Sequence, residues 1–231
     1  MTSEITVLRE IEMASRQTPL ADRVALTLER HAKELCELTN RHMSADEREA
    51  VALAIPILVQ LLKGGHGASA AALAIDHLAA NSAANSNAIR EAGAIAPLVA
   101  LLQAGAGSAA ATNAAGALWN LASSNDARNA IREAGAIAPL VALLQAGAGS
   151  EAATIAAGAL WCLADSNDTN KNAIREAGAI APLVALLQAG AGSAAATNAA
   201  GMLGNLANSN DTNQNAIREA GAIAPLVALL Q

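Results

Sequence analysis

One seventeen-residue string, NAIREAGAIAPLVALLQ, occurs four times without a change, beginning at Asn87, Asn129, Asn172 and Asn215. The offsets of 42, 43 and 43 residues are those of stacked helical repeats, in which no unit buries its apolar face alone and neighbours must supply the cover. A chain built this way folds as an array.

Punctuation within one unit gives three helices. Asn125 and Asp126 offer N-cap oxygens for a short first helix through Ala134, and Gly135 can take the left-handed conformation that ends it. A second helix follows directly, with Pro139 in its first turn and an apolar stripe of Leu140, Val141, Leu143 and Leu144. It closes in the loop Ala146-Gly147-Ala148-Gly149. Ser150 then caps a third helix from Glu151 to about Ala164, with Glu151 near its positive end.

The interior has an unusual palette. The chain is 53% apolar but holds no Phe, no Tyr and two Trp, so Ala, Leu, Ile and Val must pack closely approaching helices. Of 34 charged residues, 17 fall in the first 50 positions, separating a charged N-terminal region from a small-residue array. Residues 1–43, with helices expected over Ser3 to Ser15 and from Thr18-Pro19 to about Arg41, read as an N-terminal helical cap. A divergent repeat spans 44–85, since Ser44-Ala45-Asp46-Glu47 has capping-box form and Pro56 to Leu62 mirrors Pro97 to Leu102. Regular repeats cover 86–124, 125–166 and 167–209, and a partial repeat covers 210–231. That last unit lacks its third helix, and the expectation is a shortened array or self-association through the uncovered face.

Several function classes are disfavoured. The net charge is −6 and no Lys/Arg cluster lies in the repeats, so nucleic acid is not an expected partner. The uncharged stretch from Ala92 to Asn125 is broken by Pro97, Gln103, Gly105, Gly107, Ser108, Thr112, Asn113 and Asn120, so no membrane span is expected. The N-terminus has no apolar signal segment, which makes a cytoplasmic or nuclear address the default. Cys36 and Cys162 have neither disulfide nor zinc spacing. His31, His42, His66 and His77 show no metal pattern, and no nucleophile has a base beside it. Lys63 to Ser69 lacks the spacing of a phosphate loop and reads as a helix connection. No cofactor and no enzymatic activity are expected.

The third helix carries a resemblance. Ala114-Ala115-Gly116-Ala117-Leu118-Trp119-Asn120-Leu121-Ala122, followed by Gly135-Ala136-Ile137-Ala138-Pro139-Leu140-Val141, is similar to the armadillo repeats of β-catenin and of vacuolar and plant armadillo proteins, over roughly residues 44 to 231. The resemblance implies an all-α, right-handed armadillo α-solenoid with three helices per repeat of 42–43 residues. It also implies a concave groove lined by third helices, where an Asn near each C-terminal end hydrogen-bonds an extended ligand. Asn120 and Asn205 match that Asn, while His77 and Cys162 stand in its place in the other units. Importin-α carries its Trp one turn before the Asn, where this sequence has Gly116, Gly158 and Gly201.

A helical projection leads to the same face. At 100° per residue, Ala114, Leu118 and Leu121 cluster on one side, and Asn113, Gly116 and Asn120 on another. The first set reads as core. Trp119 and Trp161 then project beside the amide stripe, Asn198 repeats Asn113, and the three glycines are expected to let a ligand backbone come close. An amide supplies both a donor and an acceptor, so it can pair with any peptide unit. The expected function is therefore a non-catalytic scaffold for an extended peptide or partner domain. The alternative is a structural or consensus-like solenoid without a dedicated ligand, since four identical copies imply either recent duplication or design.

Overall fold

A computed structural model describes residues 45–64, 67–80 and 82–230. The N-terminal cap expected over 1–43, the Ser44 capping position, and Gly65 and His66 lie outside the described residues. Thirteen helices and no strand are found among those described. The first unit holds α1 (Ala45–Lys63) and α2 (Ala68–Ala79). Three complete units follow: α3 (Ala83–Glu91), α4 (Ile95–Leu102) and α5 (Ala109–Leu121); then α6 (Asn125–Glu133), α7 (Ile137–Leu144) and α8 (Glu151–Ala164); then α9 (Asp168–Glu176), α10 (Ile180–Leu187) and α11 (Ala194–Ala207). The last contains α12 (Asp211–Glu219) and α13 (Ile223–Ala228).

The identical segment dictates an identical corner. After α6, Gly135 adopts φ 83° and donates its N–H to the Arg132 carbonyl at 2.9 Å, while Ala136 reaches the Ile131 carbonyl at 3.2 Å. These two bonds close the carbonyls that a helix end leaves open, and the fully buried Ile131 and Ala136 bring their side chains together across the turn. Gly93, Gly178 and Gly221 do the same in the other units. In α1 the equivalent position is Ala52, which cannot take that conformation cheaply. The short and middle helices consequently run on as one 19-residue helix with Pro56 inside it.

The start of α6 lies one residue before the sequence expectation. Ser124, not Asn125, is its cap, accepting from Ala127 N–H at 3.3 Å. In the two 43-residue units the cap is Asn167 or Asn210, each accepting at 3.0 Å. Their extra residue is absorbed where Ser166 and Ser209 sit at φ 51° and 55°, a left-handed conformation that costs a non-glycine residue about 1 kcal/mol or more. Ser150 caps α8 as the sequence indicates, accepting from Ala153 at 3.3 Å.

One apolar core runs from Ala50 to Ala222. Leu98, Leu140 and Leu183 are each 0% exposed, and Leu118 and Leu121 1%; truncating such a leucine to alanine costs roughly 2–5 kcal/mol. Third helices pack directly on third helices in an unbroken row, α2 on α5 on α8 on α11, far more intimately than the short or middle helices meet their counterparts. Alanine is what allows this, because Ala111, Ala114, Ala115 and Ala117 are all fully buried and hold the axes close. The octapeptide IAPLVALL has opposite fates at the two places where its cover differs. Ile137 and Val141 are 6% and 4% exposed, whereas Ile223 and Val227 are 57% and 50% exposed.

Candidate functional site

The residues singled out by sequence lie along this third-helix row, and each is in contact with the neighbouring units. Asn120 on α5 donates Nδ2–H bonds to the Asp76 main-chain oxygen at 3.2 Å and to Asp76 Oδ1 at 2.7 Å. Asn113, two turns earlier, donates to the Ser69 carbonyl at 3.1 Å and to Ser69 Oγ at 3.2 Å. At the other end, Asn198 reaches the Thr154 carbonyl at 3.0 Å and Asn205 the Trp161 carbonyl at 3.3 Å. Each amide thus ties its helix to the third helix of the preceding unit. Between α5 and α8 this tie is missing, because Ile155 and Cys162 stand where the other units have Asn113 and Asn120.

Trp119 takes its place at this junction. Trp119 lies across α8 so closely that a Cβ on Gly158 would come within 2.6 Å of its ring. Trp161 repeats the arrangement on Gly201 at 3.2 Å, and the Asp76 carboxyl occupies the same place over Gly116 at 3.1 Å. The bare side of these glycines is therefore filled by a side chain of the preceding unit, and the close approach is made within the array. At the tryptophan position of α11 stands Gly204, which faces open space.

Three of the sequence candidates, Trp161, Cys162 and Asn205, line a single cleft of about 380 Å³ together with Arg128 and Asp165. Trp161 is 37% exposed, so part of its ring face is presented to whatever enters. Arg128 crosses from α6, with Nη2 at 3.0 Å from Asp165 Oδ2 and Nη1 at 2.9 Å from the Asp165 carbonyl, while Nε donates to the Ala122 carbonyl at 3.1 Å. The guanidinium closes one wall and fixes the carboxylate beside the ring. Burial pushes the Cys162 thiol above its ordinary value, against a hydrogen bond from Trp119 and the charge of Arg128; Asp165 adds to the rise. This thiol is a packing group more than a nucleophile.

Asp76 is the second titratable group of the row. Desolvation raises its carboxyl above the ordinary range, opposed by the charge of neighbouring His77 and by the Asn120 hydrogen bond. His77, at the amide position of α2, is half-buried. The sequence pattern does not point to Asp76, Arg128 or Asp165. Asp76 could have been found by aligning α2 with α5, which sets it opposite Trp119; Arg128 has its counterparts in Ser86, Lys171 and Gln214, which differ in chemistry and give no common signal.

Among the described residues no group of His, Cys, Asp or Glu side chains could hold a metal ion, and no helix is long and apolar enough to cross a membrane.

Comparison with known proteins agrees with this geometry. The armadillo/β-catenin-like repeat model matches residues 82–123. No curated protein matches the sequence. Among solved structures, an engineered protein superposes with a TM-score of 0.82 at 28% identity, over 100% of this chain and 90% of its own. A computationally designed armadillo repeat protein for modular peptide recognition gives 0.76 at 28%, over 96% and 90%. A designed armadillo repeat protein in complex with the peptide (KR)4 gives 0.76 at 28%, over 97% and 90%. The chain is an all-helical armadillo-repeat solenoid.

Proposed function

We propose that this armadillo array is a non-catalytic scaffold that binds an extended peptide, or an extended segment of a partner protein, along its third-helix row. The observation that carries the reading is the cleft of about 380 Å³ between α8 and α11, where the half-exposed Trp161 ring, the Asn205 amide and the Arg128–Asp165 pair converge. The third helices form the most closely packed row of the stack, and a ligand laid along this row meets several units at once. Trp161 offers a flat surface for an aliphatic stem or a cation, and Asn205 keeps an oxygen and one N–H for a main-chain unit. Helices about 8–10 Å apart and an extended chain rising about 3.3 Å per residue place one anchor at every second or third ligand residue. That two similar designed solenoids are described as peptide binders supports the same use here.

The reading is tested by selecting peptides from a random display library on the immobilised protein and measuring them against Trp161→Ala and Asn205→Ala variants. Enriched peptides should lose tenfold or more of their affinity for the double variant while its helicity is unchanged. Peptides that bind the variant equally well, or a library that yields none above background, would refute it.

A second reading rests on the exposed apolar face of α13 and the turn after it, where Ile223, Val227 and Leu230 are 57%, 50% and 86% exposed. That face would pair with a second copy of the chain. Sedimentation at increasing concentration should then show a dimer that Val227→Asp abolishes; a monomer throughout removes the reading.

A further inference from the structure

Each third helix of the complete units packs on two surfaces, the middle helix of its own unit and the third helix of the unit before: α5 on α4 and α2, α8 on α7 and α5, α11 on α10 and α8. The same pair of surfaces recurs once more, on α13 and α11, and there both are open. Ala157 and Ala164 on α8 are fully buried, whereas their counterparts Ala200 and Ala207 on α11 are partly exposed. In the octapeptide the change is larger. Ile223 and Leu230 are 57% and 86% exposed, against 7% and 1% for Ile180 and Leu187 in the identical segment. Only the cover differs, and the inner copies show what that cover is: a third helix.

The polar register is fixed as well. Asn198 reaches the Thr154 carbonyl and Asn205 the Trp161 carbonyl, so the matching carbonyls on α11 are those of Thr197 and Gly204. Thr197 is exposed and Gly204 faces open space. A helix seated in the same register brings one donor amide to each if it carries asparagines seven residues apart, as α11 does itself. Alanine towards α11 keeps the axes close, with leucines at the places of the buried Leu203 and Leu206. One rule of the row is lifted here. Trp161 requires a glycine on its successor, but Gly204 presents no side chain, so the incoming helix is free to carry a large residue at that place. Among the described residues, every third helix of a second copy is already seated in its own row.

We propose that the space between α11 and α13 is a berth for one amphipathic, alanine-rich helix of a partner protein, the length of the 14-residue α8 and α11, with asparagines seven residues apart and leucines three apart. The berth gives the α13 face an occupant other than the second copy considered above, and it does not depend on the peptide groove.

The probe is a labelled synthetic peptide with the sequence of residues 193–207, titrated onto the full chain by fluorescence anisotropy. Beside it run a peptide carrying Gly201→Leu and one carrying both Asn198→Ala and Asn205→Ala. On the unaltered chain the Gly201→Leu peptide should bind at least as tightly as the first, and the double-alanine peptide about tenfold more weakly. Val227→Asp in the chain should abolish saturable binding, because the incoming helix would bury a carboxylate. Gly204→Trp, made where nothing lies within 4 Å, should still bind the glycine peptide and weaken the leucine peptide about tenfold or more. If the Gly204→Trp chain binds those two peptides alike, or the double-alanine peptide binds undiminished, the register is wrong. No saturable binding to the unaltered chain, or binding that survives Val227→Asp, overturns the berth. Sedimentation of the unaltered chain showing a dimer that the peptide does not dissociate assigns the face to a second copy and overturns the berth too.

Discussion

The α2–α5 and α8–α11 junctions are built from the same third helices and are both crossed by Asn amides, yet a carboxyl fills the space over the glycine in one and a ring in the other. At the first, Asn120 grips Asp76 by two bonds and the carboxyl fills the space over Gly116. At the second, Trp161 fills the space over Gly201, and Asn205 holds on by one longer bond. The α5–α8 junction goes further still, since Trp119 presses on Gly158 with no amide tie beside it. Packing and polar ties thus substitute for one another along the row, and each substitution leaves a different surface for a ligand.

Three measurements break or sharpen this contrast. The widest spread between paired variants is expected from glycine. Gly158→Ala would set a methyl 2.6 Å from the Trp119 ring, and the forced repacking should lower stability by about 1–2 kcal/mol even after the gain in helix propensity. Gly204→Ala meets nothing within 4 Å and should raise stability by up to about 1 kcal/mol. Urea unfolding of both decides whether the ring makes the glycine obligatory; equal effects would end that claim. Next comes the amide pair. Asn120→Ala removes two bonds and deprives a half-buried carboxylate of its partner, which should cost about 1–3 kcal/mol, whereas Asn205→Ala removes one exposed bond and should cost a few tenths. Similar losses would mean that the two junctions are held alike.

The smallest effect is the pH dependence of Asp76. Its native carboxyl is raised above the ordinary value of 3.8, so the native state holds the proton more tightly than the unfolded chain does. Asp76 therefore lowers stability as pH rises from about 3.8 through its native value, and the loss persists at neutral pH. Asp76→Asn should melt slightly higher than the unaltered protein near neutrality, with the gap closing in acid. A gap that widens in acid would reverse the sign and mean that the ionised carboxylate is favoured in the fold.

Much of the array was legible because its signals are local. Gly135 and Ser150 act within a few residues of themselves, and the buried stripe of Ala114, Leu118 and Leu121 follows from the helix period alone. The departures were local too: the shorter linker that moves the α6 cap to Ser124, and the alanine at position 52 that fuses two helices into α1. The candidate site was legible only as a direction. A helical projection says that Asn120 leaves the core face, but its partner is 44 residues earlier on another helix, and the projection cannot say what that helix presents. The glycines mislead in the same way. Their sequence signal is a missing side chain, and nothing nearby in the sequence says that a tryptophan from the unit before will occupy the room.

The ring-over-glycine contact makes the order of modules a matter of compatibility. A unit ending in tryptophan must be followed by one with glycine at the matching place, as Trp119 is by Gly158 and Trp161 by Gly201. The first unit, which receives no ring from another described third helix, carries Leu73 there. The α11 unit, with Gly204, makes no such demand on its successor. Modules cut from this chain could be concatenated freely after α11, but placing the leucine-bearing first unit behind α5 or α8 would jam the joint.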